Sequence, residues 1–189
     1  MRVGVDVGSF DPVHTGHIKI VNYLLNNILD KIVLMPTGAY WDKDDLVDIN
    51  HRINMLKIYE TERILVEDEK NDLPYTYMAM EYLEKKYPED ELYLIIGADN
   101  IINFDKWQEY ETLLAGNMII INRSNIDVKK YLKQLNKKAG FIITDDLENI
   151  DISSTQIREY IKTKNWGAMQ EIVDKCVFEY IIENKLYME

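Results

Sequence analysis

A doubly wound parallel α/β sheet followed by a helical C-terminal segment is the architecture that this 189-residue sequence predicts. Three observations predict it. Short runs of Val, Ile and Leu alternate with amphipathic patterns in units of about 25 residues, the spacing of right-handed strand–helix–strand crossovers. The runs are apolar at consecutive positions, as strands buried on both faces are. After Thr144 the alternation stops, and two helical patterns follow with no strand between them.

Taken in order, the strand-like runs are residues 3–7, 31–35, 64–66, 92–96, 118–121 and 141–144. Most sit beside Gly, Pro or Asp, which bound short buried strands. In the first helical pattern Ile18, Val21, Leu24, Leu25 and Ile28 share one face, and in the second Ile53, Leu56 and Tyr59 do so. Asn50 stands where an N-cap of that second helix is expected. A third helix is predicted over residues 76–87, where Pro88 stops it. The tail predicts helices over 155–164 and 168–184. No internal repeat, Gly/Ser linker or long charge run marks a boundary, so residues 1–189 read as a single domain with 151–189 as its helical C-terminal segment.

Composition excludes several classes. A hydrophobic fraction of 47% with 29% charged residues is ordinary globular usage, not that of a disordered or fibrous chain. A chain this long buries roughly 70% of the surface its unfolded form exposes, so it needs no structural metal or disulfide. Its single cysteine, Cys176, has no internal partner, and no Cys/His cluster has metal-site spacing, so no protein-held metal is expected. The net charge of −11 argues against a nucleic-acid partner. The chain starts without a secretory apolar segment, and no stretch approaches the roughly 18 apolar residues of a membrane span, so no membrane partner and a cytoplasmic location are expected. The thirteen tyrosines and eight methionines read as core and interface filler, and a homo-oligomer is compatible with them.

In doubly wound sheets ligands bind beyond the carboxyl ends of the strands, where helix N-termini aim free N–H groups outward. The first strand ends in Gly8-Ser9-Phe10-Asp11-Pro12-Val13-His14-Thr15-Gly16-His17. Gly8 suits a tight exit from the strand and a close ligand. His14 and His17, three apart as a helix begins, share one face of its first turn beside amides of partial positive charge. Such a site suits a polyphosphate; read alone, the same residues are a strand-to-helix turn with two polar caps. A P-loop and the Rossmann glycine triplet are both absent. A second cluster, Ile152-Ser153-Ser154-Thr155-Gln156-Ile157-Arg158, has an N-cap pattern whose hydroxyls and amides can hold phosphate oxygens, with Arg158 able to bond one bidentately.

His14-Thr15-Gly16-His17 resembles the His-x-Gly-His signature of the nucleotidyltransferase superfamily. The longer run from Gly8 resembles bacterial nicotinate-nucleotide adenylyltransferases and, less closely, phosphopantetheine adenylyltransferases. Residues 152–158 are similar to their Ile-Ser-Ser-Thr-x-x-Arg motif, which binds ATP phosphates. His51-Arg52-Ile53-Asn54-Met55-Leu56 resembles their His-Arg-x-x-Met-Leu helix, whose role reads here as a helix start with an apolar face. Pro74-Tyr75-Thr76-Tyr77, Ile95-Ile96-Gly97-Ala98-Asp99 and Lys106-Trp107 match further segments of the family, Pro74 replacing a Ser.

The resemblance covers nearly the whole chain and implies a Rossmann-like nucleotidyltransferase fold. It implies that Gly8, Ser9, Phe10, Gly97, Asp99 and residues Ile152, Ser153, Ser154 and Thr155 hold ATP, with Asp99 at a ribose hydroxyl. Trp107 would stack on a pyridine ring, backbone amides near Thr76 and Gln108 would hold its carboxylate, and Arg123 would lie near the adenine. One stretch departs: where the family has a Pro-Pro-His-Lys loop, this chain has Ala39-Tyr40-Trp41-Asp42-Lys43, so Lys43 stands in for the cation, and Tyr40 and Trp41 form an aromatic lid or simply pack.

The activity implied is transfer of AMP from ATP to nicotinate mononucleotide, giving nicotinate adenine dinucleotide and pyrophosphate for NAD biosynthesis. His14, His17, Lys43 and Arg158 would stabilise charge on the phosphates, with Mg²⁺ entering on the nucleotide. The partners are small nucleotides. Nicotinamide mononucleotide, phosphopantetheine or an alcohol phosphate with CTP are rival substrates, and a nucleotide-binding protein without catalysis is the rival from another class.

Overall fold

Strands form where both faces of the chain are apolar: β1 (Arg2–Gly8), β2 (Lys31–Pro36), β3 (Ile64–Val66), β4 (Glu91–Gly97), β5 (Asn117–Ile121) and β6 (Phe141–Thr144). The computed structural model describes residues 1–38, 46–122, 126–145, 147 and 152–188. Each strand lies within one residue, at either end, of the run the sequence predicts. All pairings are parallel, in the order β3-β2-β1-β4-β5-β6. The chain therefore builds outward from β1 to β3 and then returns to place β4 against the other side of β1. Crossovers on either side of that reversal run in opposite directions, which opens a crevice at the carboxyl ends of β1 and β4.

The helices are α1 (Thr15–Asn27), α2 (Ile49–Lys57), α3 (Thr76–Lys86), α4 (Ala98–Ile101), α5 (Tyr110–Ala115), α6 (Val128–Gln134), α7 (Ser154–Lys162), α8 (Trp166–Ile172) and α9 (Lys175–Glu183), with a 3₁₀ turn at Phe104–Lys106. Period-two alternation divides β2, β4 and β5 between two cores. Ile32, Leu34, Tyr93, Ile95, Ile119 and Ile121 face one core with Leu24, Leu56, Ile157, Met169 and Ile181. Val33, Met35, Leu94, Ile96, Met118 and Ile120 face the other with Leu83, Phe104, Leu113 and Leu132. The helical tail is therefore part of the first core, packed on the same sheet face as α1 and α2.

Two local expectations are corrected. The cap of α2 is Asp48, whose carboxylate accepts the Asn50 N–H at 2.9 Å, and Asn50 lies inside the helix. The predicted helix over 168–184 is two helices. Val173 is extended, and Asp174 accepts the Tyr59 hydroxyl at 2.5 Å, so the chain leaves the helix there. Met169, Val173 and Val177 keep a four-residue apolar spacing across the break and are all buried, which hides it from periodicity. No helix among the described residues is long and apolar enough to cross a membrane.

Candidate active site

The turn after β1 is built by a left-handed residue that is not glycine. Phe10 has φ 47° and is buried, while Gly8 has ordinary backbone and serves by close approach, since a Cβ there would lie 3.2 Å from the Phe10 ring. Phe10 meets the edge of the His17 imidazole, ring centroids 5.2 Å apart. The Asp11–Pro12 peptide bond is cis. His14 caps α1 in extended conformation, and its N–H donates to His17 Nδ1 at 3.2 Å. The two imidazoles stack at 3.7 Å between centroids. Because Nδ1 of His17 accepts, neutral His17 carries its proton on Nε2.

The late Ser-Ser-Thr turn docks onto this one. Ser153 caps α7 by accepting the Gln156 N–H at 3.2 Å. Ser154 Oγ donates to the Pro12 carbonyl at 2.9 Å. Arg158 Nη1 donates to the Asp11 carbonyl at 2.6 Å and lies 3.5 Å from Asp11 Oδ2, while Nη2 donates to Thr155 Oγ1 at 3.1 Å. Segments some 145 residues apart thus share one contact immediately before the histidine pair. Ile152, half-buried, precedes the cap.

Arg52 is the residue that sequence reasoning missed. It is 1% exposed, and its guanidinium donates to Val47 O at 2.9 Å, Ser9 O at 2.7 Å and Thr37 O at 2.7 Å. One cation therefore ties the β1 turn, the exit of β2 and the approach to α2. Burial lowers its pKa, opposed by the charge of Asp11 and, more weakly, Tyr187 and Asp48. A signal was present: Arg52 occupies the same helical face as Met55 and Leu56, where a charge is out of place unless it bonds inward. Asp11, 1% exposed, is a second hub, its Oδ1 accepting from Tyr187 Oη at 2.8 Å and Val47 N at 3.3 Å. The third histidine, His51, lies 2.9 Å from Tyr180 Oη through Nδ1 and lines a cavity of about 710 Å³ with Thr155, Arg158 and Tyr187.

A second set of predicted residues meets beside β4. Pro74, Tyr75, Thr76, Lys106, Trp107 and Gln108 line a cavity of about 370 Å³. An adjoining cavity of about 330 Å³ shares Tyr75, Thr76 and Trp107 and reaches Asp6, Thr37, Gly38, Gly97 and Asn100. Thr37 joins the two halves of the crevice, since its N–H donates to Gly8 O at 2.9 Å while its carbonyl holds Arg52. Trp107 is half-buried, tilted against Phe104 at 5.1 Å. Thr76 opens α3, so its N–H precedes the helical ladder and can face a ligand. Asp99 is exposed at the first turn of α4, and its neighbour Asn100 lines the cavity. Lys43, Arg123, Tyr40 and Trp41 lie outside the described residues.

The loop leading to Thr76 hangs on a buried carboxylate. Glu67 is 3% exposed; its Oε1 accepts from Glu69 N at 3.0 Å and Lys70 N at 3.3 Å, and Oε2 accepts from Lys86 Nζ at 2.8 Å. Burial alone would lower the Lys86 pKa, but hydrogen bonds to Glu67, Glu69 and Tyr82 outweigh it and raise it.

Residues 5–160 match the cytidylyltransferase-like family. The chain is 35% identical to a probable nicotinate-nucleotide adenylyltransferase of Endomicrobium trichonymphae, over 98% of each chain. It is 34% identical to a Clostridium tetani protein of the same name, over 95% of this chain and 96% of that one. In fold it is similar to Plasmodium falciparum nicotinic acid mononucleotide adenylyltransferase complexed with NaAD, with a TM-score of 0.80 at 22% identity, covering 98% and 97% of the two chains. On a parallel sheet whose switch point gathers the histidine pair and the late arginine, and with identity of this extent, the chain belongs to the cytidylyltransferase-like family and, within it, to the nicotinate-nucleotide adenylyltransferases.

Proposed function

We propose that the protein transfers AMP from ATP to nicotinate mononucleotide, forming nicotinate adenine dinucleotide and pyrophosphate. The observation that carries this reading is the contact of Arg158 with Asp11, in the same turn as the stacked histidines, with the Trp107 cavity at the carboxyl ends of β1 and β4. A phosphate oxygen of the mononucleotide attacks the α-phosphorus of ATP. The bond from that phosphorus to the α–β bridging oxygen breaks, and pyrophosphate leaves with its electrons. The nucleophile is already an anion at neutral pH, so the protein aligns and neutralises rather than abstracting a proton.

Each predicted residue but Ile152, which leads into the α7 cap, has a task in that scheme. Nε2–H of His17 donates to an α-phosphate oxygen, where charge builds. His14, Lys43, Arg158 and the Ser153–Ser154–Thr155 turn hold the outer phosphates, the first turn of α7 offering its free N–H groups. Gly8, Ser9 and Phe10 shape the floor under the nucleotide. Gly97 and Asp99 serve the ribose, and Arg123 serves the adenine. Trp107 stacks on the pyridine, with the Thr76 and Gln108 amides on its carboxylate. Mg²⁺ arriving with ATP would supply charge neutralisation on the phosphates, held mainly by phosphate oxygens and water. Residues 1–189 act as one domain in the cytoplasm, where these nucleotides are found.

The test is pyrophosphate release from ATP with each acceptor. Nicotinate mononucleotide is expected to be turned over at least about tenfold more efficiently than nicotinamide mononucleotide, a gap of roughly 1.4 kcal/mol. Preference for the amide or for phosphopantetheine overturns the acceptor; ATP binding without pyrophosphate release from any acceptor overturns catalysis.

A further inference from the structure

The tail reaches the phosphate site through one phenol. After α9 the chain ends its helix with Lys185 at φ 52°, Lys185 N donating to Ile182 O and Leu186 N to Ile181 O at 3.0 Å, the paired bonds of a left-handed helix cap. That cap accounts for Lys185. It does not account for Tyr187, which follows it and is again left-handed at φ 62°. A non-glycine residue holds such backbone only where its surroundings impose it, and such residues gather at functional sites. What holds Tyr187 is Asp11, 176 residues away, whose Oδ1 accepts its hydroxyl at 2.8 Å.

We infer that Tyr187 is a positioning residue of the triphosphate site, keeping the Asp11 carboxylate from claiming Arg158. Oδ1 of Asp11 is occupied by Tyr187 and the Val47 N–H, and only Oδ2 faces Arg158, at the long distance of 3.5 Å. The guanidinium is instead held by the Asp11 main-chain carbonyl and Thr155 Oγ1. Two of its five N–H groups are used in those bonds, which leaves the fork available to a phosphate. Remove the phenol and Oδ1 loses its strongest donor inside a buried site. The carboxylate then turns onto Arg158 as a bidentate pair, and the nucleotide must break that pair to bind. The phenol is a dependable donor: burial and the Asp11 charge raise its pKa, outweighing the opposing Arg158 and Arg52.

This rests on the adenylyl-transfer reading only for the name of the anion. The test compares wild type, Tyr187→Phe and Tyr187→Phe/Asp11→Asn by calorimetric binding of a non-hydrolysable ATP analogue, and by kcat and KM for each substrate. Tyr187→Phe is expected to raise the analogue Kd and the KM for ATP about five- to tenfold, leaving the acceptor KM within about twofold, the double variant recovering at least half of the loss. Unchanged ATP constants, a parallel rise in the acceptor KM, or a double variant no better than the single one overturns the inference. A wild type that binds the analogue but releases no pyrophosphate overturns the proposed activity alone, because the analogue Kd still decides Tyr187.

Discussion

The imidazole of His17 lies on that of His14 with ring centroids 3.7 Å apart, and its Nδ1 accepts the His14 main-chain N–H at 3.2 Å. One nitrogen of His17 is thereby committed to the helix cap, and in the proposed reaction the other, Nε2, carries the proton donated to the α-phosphate. His17→Asn keeps an acceptor near the Nδ1 position and removes the Nε2 donor. Its kcat is expected to fall roughly a hundredfold, the scale of losing one oxyanion donor, with the unfolding midpoint within about a degree of wild type. Pyrophosphate-release kinetics beside thermal melts check this, and unchanged turnover rejects the role of His17.

Arg52 is a stability residue before it is anything else. Arg52→Met abandons three carbonyls at Ser9, Thr37 and Val47 and is expected to cost about 3 kcal/mol, or roughly 6–12 °C in Tm. Lysine cannot reproduce a fork that meets three acceptors, so Arg52→Lys recovers less than half of that loss. Thermal and urea unfolding of both variants measure it.

Glu67 ties the loop before Thr76 to Lys86. Glu67→Gln is expected to lose about 1–2 kcal/mol, discounted because Lys86 is partly exposed, and to raise the KM for the mononucleotide more than that for ATP. The Lys86 pKa is raised on folding, so its contribution is complete below the unfolded lysine value and fades only as pH climbs through the higher folded value. Between about pH 6 and 9 the stability difference between wild type and Glu67→Gln is therefore expected to be flat, which urea melts across that range test.

Among the described residues, Lys106 is the one charged side chain lining the 370 Å³ cavity beside Trp107, in a protein of net charge −11. Lys106→Met is expected to lower the ratio of kcat/KM for nicotinate over nicotinamide mononucleotide by roughly three- to fivefold, the worth of one solvent-exposed charge contact. A ratio unchanged within error would show that the amides alone choose the acid.

The sequence by itself determined the sheet and pointed to much of the candidate site. Short apolar runs rich in Val and Ile and bounded by Gly, Pro or Asp are too short for helices and suit strands buried on both faces, so all six were legible to within a residue. His14, His17, Ser153 and Arg158 were legible because each stands at a strand-to-helix turn or a helix start, where local chemistry is written in neighbouring residues. Thr76, Trp107 and Gln108 came from likeness to a family, and the structure gathers them around one cavity. Arg52, Asp11, Glu67 and Tyr187 were not legible as a network. Each bonds to groups distant in sequence, and such pairings leave no periodic trace. The tertiary structure alone decided that a tail phenol and a helix guanidinium meet at one aspartate in a turn, because only packing α7 to α9 against the sheet brings the Tyr187 hydroxyl and the Arg158 guanidinium within reach of Asp11.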